Sequence, residues 1–310
     1  MNPTLKAYIQ LCRPANLPTA AADILAGWAI MNGSEVVTAV ESKELMDIIH
    51  AFINPVLQDI LALVFASVLL YAGGVVLNDF FDAELDAKER PERPIPSGVV
   101  SRSSVLRFGL LLLILGIGIA GLYSMTSGLI AFLLSGMIVL YNWKAKHHSL
   151  TGPLAMGSCR ALNLLLGMSL FISAEPKWVF LIIPLCYIGA ITAISQGEVH
   201  GGRKQTQAVA AFLYLVVGLL ILVLAAQAGG QWWWTMGVLT LFYILVGSPL
   251  YKAWKQPSAT NIRLAVKWGV ISLIVLDAAI ASAYVSPIYT LIILALFPLS
   301  RTLSKVFAVT

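Results

Sequence analysis

LQDILALVFASVLLYAGGVVLNDFFDAELDAKERPERPIPSG, residues 57–98, joins two chemistries end to end. Residues 57–78 form an apolar run long enough to cross a hydrocarbon core of ~30 Å. The next stretch, NDFFDAELD at 78–86, carries four acidic residues, and the basic Lys88, Arg90 and Arg93 follow at once. Backbone amides cannot stay unpaired in lipid, so the apolar run must be a helix. If that helix continues through the acidic stretch at about 100° per residue, Asn78, Asp79, Asp82 and Asp86 share an arc of about 100°, while Glu84 points away.

Comparable apolar runs recur along the chain. They predict spans at about 14–32, 57–78, 104–123, 125–142, 152–172, 178–196, 206–227, 232–250 and 264–285. A last stretch, 288–300, is short for a span and reads as either a tilted tenth helix or an interfacial one. The composition agrees: of 310 residues 59% are hydrophobic and 11% charged, and the mean hydropathy is +0.85. A soluble globule carries about a quarter charged residues. The expected architecture is an all-α integral membrane bundle of nine helices, or ten, forming one polytopic domain over residues 1–310.

Charge placement orients the bundle. With the N-terminus cytoplasmic, fifteen of the twenty Lys and Arg residues fall on the cytoplasmic side, as the positive-inside rule requires. Arg301 and Lys305 then fall on the wrong side unless the tail re-enters the membrane. The tryptophans of GGQWWW (229–234) suit an aromatic belt at an outer boundary. The net charge of +5 reflects this topology and anionic lipid headgroups. No basic stripe with interleaved aromatics argues for nucleic acid. Cys12, Cys159 and Cys186 lack metal-ligand spacing, and the start MNPTLKAYIQLCRP shows no cleavable signal. The default location is a bacterial-type plasma membrane, with the acidic motifs on the cytoplasmic side. The more polar stretch 40–59 reads as an outer loop with an amphipathic piece.

Converged carboxylates repel one another unless positive charge lies between them. Mg²⁺ suits the acidic face, because it takes hard oxygen ligands and is commonly shared between carboxylates and phosphate oxygens. Asp79, Asp82 and Asp86 are candidate ligands, with Asn78 at the same surface. Arg90, Arg93 and Arg102 are placed to contact phosphate oxygens directly. An acid-and-base cluster beside an apolar span fits a diphosphate head with a long apolar tail. A solvated charged loop at a helix end is the plainer alternative.

Asn78-Asp79-Phe80-Phe81-Asp82-Ala83-Glu84-Leu85-Asp86, followed by Arg93-Pro94-Ile95-Pro96-Ser97-Gly98, resembles the first signature of the UbiA family of intramembrane prenyltransferases. Arg13-Pro14-Ala15-Asn16 is similar to that family's opening, and 152–167 to its EboC-like subgroup. The resemblance implies about nine helices around a central cavity. It also implies Mg²⁺-dependent transfer of an isoprenoid chain from an allylic diphosphate to a small-molecule acceptor, often aromatic, with Asp79 and Asp82 as catalytic residues.

The family's second acidic motif corresponds here to Ser195-Gln196-Gly197-Glu198-Val199-His200-Gly201-Gly202-Arg203. Only Glu198 keeps a carboxylate, as a fourth candidate metal ligand, and Arg203 supplies the following basic residue for the diphosphate. His200 and the Gln196 amide could assist, and a mixed set of that kind admits Mn²⁺ as well as Mg²⁺. The thinned motif leaves a second reading open, a UbiA-type carrier for a prenyl or lipid-like molecule with little turnover. In Tyr141-Asn142-Trp143-Lys144-Ala145-Lys146, the family's Tyr-to-Lys spacing is met only loosely by Lys144 and Lys146. Either could neutralise the leaving diphosphate, and either could be an ordinary interfacial anchor.

Arg160, with Asn163 three residues on, lies inside an apolar run. A charge there costs at least ~2.5 kcal/mol on insertion scales, so it should face the cavity and have a partner. Asp23, Asp277, Glu198 or the substrate diphosphate could supply it, and a purely structural ion pair is the alternative. Acceptor, prenyl chain length and oligomeric state are left open by the sequence.

Overall fold

The computed structural model describes residues 2–41, 55–169, 177–198, 201–229 and 232–306. Within them the chain is helical, without strands. A short amphipathic helix, α1 (Pro3–Leu11), precedes a 3₁₀ turn at Pro14–Asn16 and the long α2 (Leu17–Glu41). Next come α3 (Pro55–Phe81), α4 (Ala83–Glu89), α5 (Arg102–Tyr123), α6 (Met125–Trp143) and α7 (Thr151–Met168). The remaining elements are α8 (Ile182–Ser195), α9 (Lys204–Gln227), α10 (Trp232–Lys255), α11 (Ala259–Ser282) and α12 (Pro287–Val306). Most of the expected outer loop at 40–59, and His200, lie outside the described residues.

Among the described residues, eight helical stretches are long and apolar enough to cross a membrane: those of α3, α5, α6, α8 with its preceding 3₁₀ turn, α9, α10, α11 and α12. The protein is an integral membrane protein. α7 falls short on hydropathy because it spends positions on Gly, Arg160 and Asn163, and it compensates by facing other helices. α2 and α11 hold the middle: α2 packs on α3, α7, α11 and α12, and α11 on α2, α8, α10 and α12. Exposed Ile114, Phe132, Phe212 and Ile244 face outward from the periphery, as a lipid-bathed surface requires.

The last helix settles the ambiguity at 288–300. It runs for twenty residues, through Pro298 and past Arg301. The Ser300 hydroxyl donates to the Ala15 carbonyl at 2.6 Å, and Tyr289 donates to the Leu25 carbonyl at 2.9 Å. α12 is therefore antiparallel to α2, and Arg301 returns to the end of the bundle where α2 begins. The two tail cations thus join the basic majority instead of opposing it.

Small residues set the closest approaches, as van der Waals packing in lipid favours. A Cβ on Gly109 would lie 2.9 Å from the Leu77 side chain, and one on Gly116 2.7 Å from Leu70, so α5 lies directly on α3. A Cβ on Gly27 would collide with the Leu164 carbonyl, and one on Gly167 with that of Ile24. Backbone therefore meets backbone where α2 crosses α7.

Candidate active site

α3 ends at Phe81, and Asp82 (φ −86°, ψ 1°) forms a shallow joint to α4. The i-to-i−4 pattern survives the joint: the Asp82 amide donates to the Asn78 carbonyl at 2.9 Å and that of Asp86 to Asp82 at 2.8 Å. Asn78, Asp79, Asp82 and Asp86 accordingly stay on one face. Asp79 and Asp86 are buried, while the Glu84 side chain is 86% exposed.

Each inward carboxylate is met by a cation from a different segment. Arg13 Nη2, from the turn before α2, donates to Asp79 Oδ1 at 2.6 Å. Arg93 Nη1, from the loop after α4, donates to Asp86 Oδ2 at 2.7 Å and lies 3.5 Å from Asp79 Oδ1. Lys146 Nζ, from the 3₁₀ turn after α6, reaches Asp82 Oδ1 at 2.5 Å and Asn78 Oδ1 at 3.3 Å. Asn78 Nδ2 closes the set on Asp82 Oδ2 at 3.0 Å. Three acids and three bases thus balance in one largely buried cluster.

The other expected site residues are placed elsewhere. Lys144 is exposed over the Trp143 ring, 4.4 Å from its centre. Arg102 pairs with outward Glu84 at 3.1 Å and covers the Phe80 ring. Arg203 is exposed. Glu198 lies just beyond α8, and its backbone carbonyl accepts from Arg263 Nε at 3.2 Å. Partial burial raises the Glu198 carboxyl pKa, opposed by the positive charges of Arg263 and Arg90. Arg90, on the loop after α4, therefore brings the two motif regions within electrostatic reach of each other.

Below the cluster lies a cavity of about 220 Å³. Arg13, Asn78, Tyr141 and Asn142 line its mouth, and Val75, Leu134, Ile138 and Met156 its apolar walls. Tyr71, Ser67, Arg160 and Asn163 line its lower part. Arg160 is taken up by α2: it donates to Asp23 Oδ2 at 2.8 Å and to the Thr19 hydroxyl at 2.6 Å. Its guanidinium lies over the Tyr71 ring, seven residues and so about 10 Å down α3 from Asn78. Arg160 and Asn163 therefore stand apart from the cluster at the mouth. Ser67 and Tyr71 escaped notice in the sequence because one hydroxyl in a span carries no periodic signal. Arg13 had a signal, the Arg-Pro-Ala-Asn opening.

All the carboxylate and amide oxygens on the inner face of α3 and α4 are hard donors, which fits Mg²⁺. Among the described residues no three His, Cys, Asp or Glu side chains already converge as a metal site. The carboxylates are instead held by cations that an incoming phosphate could draw away.

The bundle and its site define a helical intramembrane protein with balanced charge at the mouth of an apolar-walled chamber. The profile of the UbiA prenyltransferase family matches residues 49–271, and the chain belongs to that family. It is 35% identical over 182 residues to digeranylgeranylglyceryl phosphate synthase of Methanopyrus kandleri, covering 57% of this chain and 58% of that relative. With the synthase of the same name from Methanothrix thermoacetophila it shares 30% over 232 residues, covering 69% and 78%. The chain thus spans little more than half the length of the first of these relatives. Among solved structures, a UbiA homolog from Archaeoglobus fulgidus bound to DMAPP and Mg²⁺ superposes with a TM-score of 0.65 at 13% identity. That match covers 93% of this chain and 99% of the homolog. A structure of digeranylgeranylglyceryl phosphate synthase in membranes gives 0.64 at 21%, covering 91% and 99%. At these identities the structural likeness is one of fold.

Proposed function

We propose that the protein is a prenyltransferase that moves an isoprenoid chain from an allylic diphosphate to an acceptor within the membrane. The observation that carries this reading is the cluster at the cavity mouth, where Arg13, Arg93 and Lys146 each hold a carboxylate of Asp79, Asp82 or Asp86. A diphosphate arriving there competes for the three cations, and the carboxylates they release become free to take a divalent ion. Asp79 and Asp82, with Asn78 beside them and Glu198 across from Arg90, would hold it. Mg²⁺ would supply Lewis-acid stabilisation of charge on the leaving group; Mn²⁺ fits the same oxygens less selectively.

Arg13, Arg93 and Lys146 bind the phosphate oxygens and stabilise the negative charge that grows there as the allylic C–O bond loosens. That bond breaks with its electron pair leaving on the diphosphate. The allylic carbon, held among Val75, Ile138 and Tyr71, is kept from bulk water, which suppresses hydrolysis. An acceptor oxygen or carbon then forms the new bond and loses its proton to a phosphate oxygen. The name shared by the relatives makes a glyceryl phosphate alcohol the first acceptor to test, ahead of the aromatic acceptors common in the family.

The test uses purified protein, Mg²⁺, labelled diphosphates of five to twenty carbons, and prenylated glyceryl phosphates or aromatic acids as acceptors. Released pyrophosphate together with a labelled lipid product, both lost in Asp79→Ala/Asp82→Ala, supports the reading. Metal-dependent binding of the diphosphate with neither product nor pyrophosphate would replace it with a carrier.

A further inference from the structure

The cavity is closed at its lower end by polar groups that are already satisfied. Ser67 Oγ lies 2.7 Å from Asn163 Oδ1 and 3.1 Å from the Ala20 carbonyl. Asn163 Nδ2 donates to Asp23 Oδ2 at 2.8 Å and to the Ala20 carbonyl at 3.1 Å, and Arg160 completes the clasp on the same Asp23 oxygen. Three helices, α2, α3 and α7, meet in this layer. About one turn further on, the Gly27 and Gly167 backbones are in direct contact, so the chamber has no axial continuation.

Two measures bound the chamber, at about three isoprene units by length and about two by volume. Along α3, Ser67 lies eleven residues below Asn78, about 16 Å. Each isoprene unit adds about 5 Å of extended chain, so a four-unit tail needs about 20 Å before the diphosphate is counted. By volume, a dry protein cavity of about 150 Å³ holds a six-carbon benzene, so 220 Å³ matches a tail of about nine carbons. A longer tail that runs on along the chamber axis would have to part Arg160 from Asp23, leaving buried charge uncompensated.

We infer that the Ser67–Asn163–Arg160–Asp23 layer is a specificity-determining floor that restricts the donor to allylic diphosphates shorter than four isoprene units. The inference rests on the prenyl-transfer reading above and adds the donor class to it. The floor acts by length alone: it touches the end of the tail and takes no part in the chemistry at the mouth. Leu134, an apolar wall residue of the chamber, offers a way to enlarge the space without disturbing the polar layer.

Binding of unreactive S-thiolodiphosphate analogues decides it, measured by calorimetry with Mg²⁺ on the full chain in detergent. The dimethylallyl, geranyl and geranylgeranyl analogues are compared in the wild type, Leu134→Ala and Asn163→Ala. The floor predicts that the wild type binds the geranyl analogue at least tenfold more tightly than the geranylgeranyl one. It further predicts that a variant still binding geranyl narrows that ratio at least threefold. Equal affinity for the two lengths in the wild type would show the tail leaving sideways between helices, overturning the floor while prenyl transfer stands. A ratio that neither variant moves would also overturn it. Failure of every length to bind in the presence of Mg²⁺ would remove the prenyl-transfer reading and this inference together.

Discussion

Arg13 and Asp79 are 66 residues apart in sequence and 2.6 Å apart in space. The Arg13 backbone sits at φ 47°, the one non-glycine residue with positive φ among those described. A left-handed conformation costs a side-chain-bearing residue roughly 1–2 kcal/mol, and here it aims the guanidinium off the α1–α2 turn at the carboxylate. Side chain and backbone can be separated by two substitutions. Arg13→Ala and Arg13→Gly should both lower kcat/KM about 10–100-fold, the loss expected of a charge-assisted hydrogen bond. Both lose the partner of buried Asp79, but Arg13→Gly should be more stable than Arg13→Ala by about 1 kcal/mol, because only it relieves the backbone. Steady-state kinetics and thermal unfolding of the two proteins check both halves.

Lys144 and Lys146 are two residues apart and do opposite things. Lys146 is buried on Asp82, with 11% of its side chain exposed, and Lys144 stacks on Trp143 in the open. Lys146→Ala strips a partly buried carboxylate of its partner and a diphosphate of its donor. It should reduce kcat/KM at least tenfold, on the order of 1.4 kcal/mol. Lys144→Ala should stay within about twofold, as an exposed pair contributes little. Equal losses in the two variants would mean that the turn after α6 rearranges on binding substrate.

Where the sequence exposed the site and where it hid it follow from geometry. Asn78, Asp79, Asp82 and Asp86 were legible because helical periodicity fixes their common face, and the joint at Asp82 keeps the amide-to-carbonyl pattern. Lys144 and Lys146 could not be told apart because α6 gives way to a 3₁₀ turn at Ala145–His147, where that periodicity fails. The span over 288–300 looked short because Pro298 and Arg301 interrupt its apolar count, yet the helix continues to Val306. Arg160 was legible as a residue needing a partner. That the partner is Asp23 depends on how α2 crosses α7, which the Gly27–Gly167 contact sets and no local pattern announces.

The Arg160–Asp23 pair is buried on both sides, with 8% and 3% of the side chains exposed. Buried Asp277 is within electrostatic reach of both. Arg160→Ala therefore leaves two acids facing one another in a dry interior and should cost about 3–5 kcal/mol of stability. Adding Asp277→Asn replaces one of the two facing carboxyls with an amide that cannot ionise and should recover part of that loss. Unfolding in a mixed-detergent titration measures both. No recovery in the double variant would place Asp277 outside the network.

Glu198 supplies a test with a sign that reverses. Burial raises its carboxyl pKa in the metal-free protein despite Arg263 and Arg90. A group whose folded pKa exceeds its unfolded value stabilises fully below the unfolded pKa, and that contribution is lost as pH rises through the folded pKa. Glu198→Gln cannot ionise, so at about pH 7.5 the metal-free variant should melt above the wild type, and the difference should shrink towards acid. With Mg²⁺ and an unreactive diphosphate the order should invert, because a metal favours the ionised ligand. The wild type should then gain more in Tm than the variant, by an amount that grows with pH. If Glu198→Gln keeps the full metal-dependent gain at every pH, the second motif contributes no ligand, and the metal must be held by the Asn78–Asp86 face alone.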